Sequence, residues 1–129
     1  MPSSRFVPFL GAFAGAALLT LVGCGGGKAT GVTCPTDSTL TYQNFGQSFM
    51  GTYCLRCHNS ALTGAARHDA PTDLNFDTLA GVKAASKDID TEAAASATIT
   101  NESMPPDGEK PTVDDRRKLA EWLACGSPQ

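Results

Sequence analysis

The first apolar block runs from Phe6 to Val22 without a charge, preceded only by the amino terminus and a lone Arg5. From Thr41 to His58, Phe45, Phe49 and Tyr53 recur in steps of four with Met50 beside them, which predicts one amphipathic helix burying its aromatics. Pro71 to Phe76 reads as extended, and Asp77 as the cap of a short helix through about Ala85. Lys87 to Thr91 is polar and reads as a loop; alanine-rich Thr91 to Ile99 reads as another short helix. Thr112, with Asp115 three on and acidic charge in the first turn, predicts a helix running to Cys125. Gly126 and Pro128 then stop it. Leu119, Trp122 and Leu123 form its buried stripe. No strand alternation stands out, so the expected class is all-α.

Composition narrows this picture. With 129 residues, 13 acidic against 10 basic side chains and a formal net charge of -3, the chain holds one small domain. It has no block of Lys and Arg to grip phosphates, so no nucleic-acid partner is expected. The charge order around Phe6 to Val22 is that of a secretion leader. A retained membrane helix is the alternative, because a span needs roughly 17 to 25 residues. Leu21-Val22-Gly23-Cys24 resembles the lipobox of bacterial lipoproteins, in which the leader is cut before the cysteine and the thiol takes a diacylglycerol. That resemblance implies a signal peptide over 1–23 and a lipidated Cys24. A flexible tether over 24–40 follows, beginning Gly25-Gly26-Gly27, and leaves a domain over 41–129. With Gly25 rather than an acidic residue after the lipid site, the resemblance favours the outer membrane, with the domain in the periplasm.

Five cysteines, at 24, 34, 54, 57 and 125, each take a chemical role. Cys54-Leu55-Arg56-Cys57-His58 is a C-x-x-C-H pattern, which in an exported protein reads as attachment of a c-type haem through two thioethers with the adjacent imidazole on iron. Three positions apart on a helical turn, the two sulfurs share a face and can reach one edge of a porphyrin. Zinc would want a second Cys/His pair at ligand spacing, and only His68 and distant cysteines are left. A thiol oxidoreductase would want a β-rich frame, which the pattern lacks. Cys34 and Cys125 bracket the domain, and an exported protein can oxidise them to a disulfide.

From about Asn44 to Gly126 the chain resembles a class I monohaem cytochrome c. Cys54-Leu55-Arg56-Cys57-His58 matches the attachment motif after the first helix. Gly46 falls where that family places a small residue to let the terminal helices touch, and Met104-Pro105-Pro106 matches its distal-ligand loop. The resemblance implies a small fold whose first and last helices cross beside one covalent haem c, with Cys54, Cys57, His58 and Met104 as its site. Crossing termini would bring Cys34 and Cys125 together.

His58 then needs a backbone acceptor for its second nitrogen, and the carbonyl of Pro71 is the sequence candidate. Met104 offers a soft thioether on a loop stiffened by two prolines, with Asp107-Gly108 turning back towards the last helix. His68, in a polar stretch, is the competing distal ligand and otherwise a solvated side chain. Met50 and Trp122 read as core, and the mixed run Asp114, Asp115, Arg116, Arg117 and Lys118 as a solvated helix face. His/Met ligation leaves iron no open position, so the expected role is a membrane-tethered electron carrier meeting redox partner proteins transiently, not an enzyme. The alternative is a haem sensor module or an accessory haem subunit.

Overall fold

The computed structural model describes residues 27–129. The leader, the retained-span alternative and the lipidation site at Cys24 lie outside them. The described residues form helices without strands: a π-helical turn Tyr42–Gly46 leading into α1 (Gln47–Tyr53), a 3₁₀ turn Gly64–Arg67, α2 (Leu79–Ala84), α3 (Ser86–Ala93) and α4 (Val113–Ala124). Pairing of extended backbone among them is confined to one isolated antiparallel bridge between Ala95 and Thr100. No helix among these residues is long and apolar enough to cross a membrane.

Local chemistry sets the ends. Thr41 Oγ1 accepts from the Asn44 N–H while Asn44 Oδ1 accepts from the Thr41 N–H, a reciprocal cap that starts the first helical segment. Thr112 Oγ1 accepts from the Asp115 N–H at 3.1 Å, as the sequence predicts. Helix α4 ends at Cys125, and the left-handed backbone of the next residue suits Gly126. The first helix stops at Tyr53, short of His58. There the N–H groups of Cys54 and Leu55 both bond the Met50 carbonyl, and the chain tightens into turns through Cys57.

Three other features differ from expectation, the first being the cap of α2, which is Thr78, whose Oγ1 accepts from the Gly81 N–H, while the Asp77 carboxylate accepts from Ser60. Residues 87–91 belong to α3 instead of a loop, because Val82, Ala85, Ile89 and Ala93 make a continuous buried stripe at helical spacing. The expected helix over 91–99 stops at Ala93. Ala94 and Ala95 are fully buried in extended backbone, and the Ala95 N–H bonds the Arg116 carbonyl. Their small side chains serve close packing rather than helix propensity.

The core joins α1, α2, α3 and α4 through Phe49, Met50, Phe76, Val82, Ile89, Leu119, Trp122 and Leu123. Leu119, Trp122 and Leu123 are buried as the stripe predicts, and Met50 is core. Gly46 lies directly under Trp122, where a Cβ would overlap the indole. Phe45 meets the same ring edge-on and Tyr42 stacks on it, as aromatic quadrupoles favour. The indole N–H donates to the Pro128 carbonyl.

The described part of the segment preceding Thr41 is fastened to the helices at a few points, including Lys28, Thr30, Val32, Cys34 and Leu40. Thr30 donates through its backbone N–H and hydroxyl to the Asp90 carboxylate at 2.9 and 2.6 Å. Asn101 donates to the Lys28 carbonyl, and Val32 and Leu40 pack on the core. The polar and glycine-rich composition hid these contacts because each is made by a side chain distant in sequence.

Cys34 and Cys125 form a disulfide with 4.7 Å between Cα atoms, inside the range that the geometry of the bond allows. The link joins the segment before the first helix to the end of α4. It closes a long loop, for which chain entropy gives about 4 to 5 kcal/mol as an upper figure. Replacing both cysteines by serine should therefore lower the urea midpoint. An unchanged midpoint would contradict this contribution.

Candidate functional site

The turn after α1 places Cys54, Cys57 and His58 on one wall of a cavity of about 370 Å³. His58 is fixed from two sides. Its ring stacks on Phe76, with centroids 4.5 Å apart and planes 17° from parallel, and its Nδ1 donates to the Leu74 carbonyl at 3.1 Å. That hydrogen bond sets the tautomer and leaves Nε2 as the nitrogen with a lone pair. The Phe76 N–H bonds the His58 carbonyl at 2.8 Å, so backbone and side chain are held by the same segment.

The acceptor is Leu74, not Pro71 as the sequence suggests. Pro71 is followed by a turn through Thr72 and Asp73, and its carbonyl is taken by Arg67 Nη2 at 2.6 Å. Arg67 is 3 % exposed and gathers this whole segment. Its guanidinium also donates to the carbonyls of Asn59, Ala70 and Leu74 and to Asn75 Oδ1, at 2.9 to 3.2 Å.

Met104 lines the same cavity from another part of the chain and is 37 % exposed. Its N–H bonds the Glu92 carbonyl at 2.9 Å, at the end of α3, and its carbonyl accepts from Arg116 Nη1 at 2.9 Å. The Met104-Pro105 peptide is cis. Arg116 does not belong to a solvated face: it is 2 % exposed and also holds the carbonyls of Ala93 and Asn101, each at 2.7 Å. The charge run misleads because a helix turns each successive residue by about 100°, and Arg116 alone in the run turns inward. Arg56, between the two cysteines, forms an ion pair with Asp107 and so links the C-x-x-C-H turn to the loop carrying Met104. Gly108 in that loop has left-handed backbone, the bend expected at Asp107-Gly108.

Burial holds the His58 imidazole below its ordinary pKa; the hydrogen bond to Leu74 opposes this and the Arg67 charge adds to it. A neutral imidazole is the form that can ligate a metal. Burial, reinforced by Cys57, pushes the Cys54 thiol up to about 12, against a weaker opposing effect of Arg116. Such a thiol is a poor thiolate donor at neutral pH, which disfavours redox-disulfide chemistry. No group of three or more His, Cys, Asp or Glu side chains converges among the described residues, so they offer no closed zinc site.

The donor set fits the group that the sequence suggests. Two thiols, an imidazole with its other nitrogen committed, and a thioether line one cavity walled by Phe49, Tyr53, Phe76, Ile89 and Pro105. Its volume lies in the usual cofactor-pocket range of roughly 300 to 1,000 Å³. His68 also lines it, exposed and with left-handed backbone. It directly follows Arg67, which is tied to the His58 side of the site. The four expected site residues thus meet at one cavity, while Arg67 has no role in the sequence reading and Arg116 reads there as solvated, because nothing in their spacing marks a buried cation. Comparison with protein-family models, curated proteins and solved structures found no match to this chain.

Proposed function

We propose that this chain is a membrane-tethered periplasmic electron carrier of the class I cytochrome c type, holding one haem through Cys54 and Cys57 with His58 and Met104 as axial ligands. The observation that carries this reading is the convergence of those four side chains on one apolar cavity, with His58 Nδ1 already engaged by Leu74. When bound, haem supplies one-electron chemistry at iron.

The chain's own residues do the rest. His58 presents a neutral Nε2, Leu74 and Phe76 fix its ring, and Arg116 and Glu92 hold the loop from which Met104 projects. The cavity walls are largely apolar, and with His58 and Met104 both on a bound haem iron no position would be left for a substrate. Redox partner proteins would dock transiently, as small electron-transfer encounters do. An absorption spectrum of the holoprotein under carbon monoxide tests the role. A carrier stays low-spin and six-coordinate; rapid carbon monoxide binding would favour a gas sensor instead.

Lipidation at Cys24 supplies the membrane attachment in this reading. The anchor then sits close to the domain, since the chain is held again at Lys28 and Thr30. Cys24→Ser should release or misprocess the protein. Normal cleavage and continued fractionation with membranes would place the anchor elsewhere.

A further inference from the structure

We infer that Arg67 is a positioning residue that sets the donor strength of His58 through the Leu74 carbonyl, and so holds the reduction potential of the site high. The inference rests on the haem reading above. One carbonyl oxygen, that of Leu74, accepts both His58 Nδ1–H at 3.1 Å and Arg67 Nη2–H at 3.1 Å. A carbonyl has two lone pairs and can serve both donors, but the second donor is a cation.

A metal-bound imidazole gains basicity when its other N–H is given to a strong acceptor. A guanidinium on the same oxygen draws electron density away from that bond, which makes the acceptor weaker and the imidazole a poorer donor. Less donation stabilises the oxidised iron less. The charge itself acts in the same direction, since a buried cation favours the state carrying one more electron.

Arg67 is buried, and its hydrogen bonds all go to neutral oxygens: the carbonyls of Asn59, Ala70, Pro71 and Leu74, and Asn75 Oδ1. The ion pairs among the described residues are Arg56 with Asp107 and Arg117 with Asp114, so no carboxylate there bonds Arg67 directly, and the Asp77 carboxylate feels its charge only from a distance, as the weakest of the effects that lower its pKa. Holding a loop needs donors, whereas burying a charge without a directly bonded carboxylate carries a desolvation cost. The position therefore does more than clip the loop: it places a full positive charge one oxygen away from the ring of His58.

The test compares haem-loaded wild type with Arg67→Lys and Arg67→Gln, reading reduction potential beside urea stability. Arg67→Gln should lower the equilibrium constant for reduction about tenfold, or about 59 mV for one electron. Arg67→Lys, which keeps the charge, should restore most of it even where both variants lose stability. Potentials equal to wild type in both variants, with only stability reduced, would overturn the inference. Should neither variant fold, nuclear magnetic resonance on the wild type decides. Couplings across hydrogen bonds from both His58 Nδ1–H and Arg67 Nη2–H to the Leu74 carbonyl carbon are expected, and loss of the Arg67 coupling alone would overturn it. A wild-type chain that takes up no haem would instead remove the haem reading itself.

Discussion

Replacing both Cys54 and Cys57 by alanine is expected to turn covalently held haem into haem that acidified organic solvent extracts completely. The two side chains stand on one wall of the cavity, separated by a single tight turn in which the N–H groups of Cys57 and His58 both bond the Cys54 carbonyl. They are the free cysteines of the described residues, because Cys34 and Cys125 are bonded to each other. No other described side chain could take over a thioether. Either single variant should keep one bond and resist extraction, and His58 should still ligate in all three. Burial pushes the Cys54 thiol up to about 12, so its spontaneous addition to haem is expected to be slow, and haem added to the purified apoprotein should remain extractable. Haem that survives acid extraction from the double variant would contradict the assignment.

The second large effect is expected at Met104. Met104→Ala should abolish the weak red-end ferric band of thioether ligation and lower the reduction potential, while His68→Ala leaves both unchanged. Both side chains line the cavity, but they are held by different parts of the fold. His68 closes the 3₁₀ turn whose Arg67 is bonded to Asn59, Pro71 and Leu74, the segment that orients His58. Met104 hangs between the end of α3 and α4, pinned at its N–H by Glu92 and at its carbonyl by Arg116. If haem is bound, Met104 would reach the iron from a part of the fold that does not already carry His58, whereas His68 belongs to the segment that orients His58. Loss of the band on His68→Ala, with Met104→Ala silent, would reverse the assignment.

Much of this was legible wherever one residue type has one physical use. The buried stripe of α4 and the capping Thr112 follow from period and hydrogen-bonding capacity, which are local, whereas a small residue at Gly46 was implied only by the resemblance to class I cytochromes c, and its contact with Trp122 comes from the fold. The Cys34–Cys125 bond followed from counting cysteines after each other one had a role. What stayed hidden depends on tertiary partners. Arg116 and Arg67 look like surface charge until the carbonyls that satisfy them are brought close by folding. Thr30 and Lys28 look like linker until Asp90 and Asn101 reach them. The alanines at 94 and 95 suggested a helix, although their use is to let extended backbone lie against α4. The His58 acceptor moved from Pro71 to Leu74 because a turn intervenes, closed by the Leu74 N–H on the Pro71 carbonyl.

The most direct measurement is peptide mass spectrometry of the chain exported from cells that carry haem-attachment machinery. The account predicts one haem on the peptide containing Cys54 and Cys57, with both sulfurs blocked to alkylation and Cys34 joined to Cys125. Cys54 and Cys57 recovered as free thiols or as a disulfide, with no haem on the chain, would contradict it.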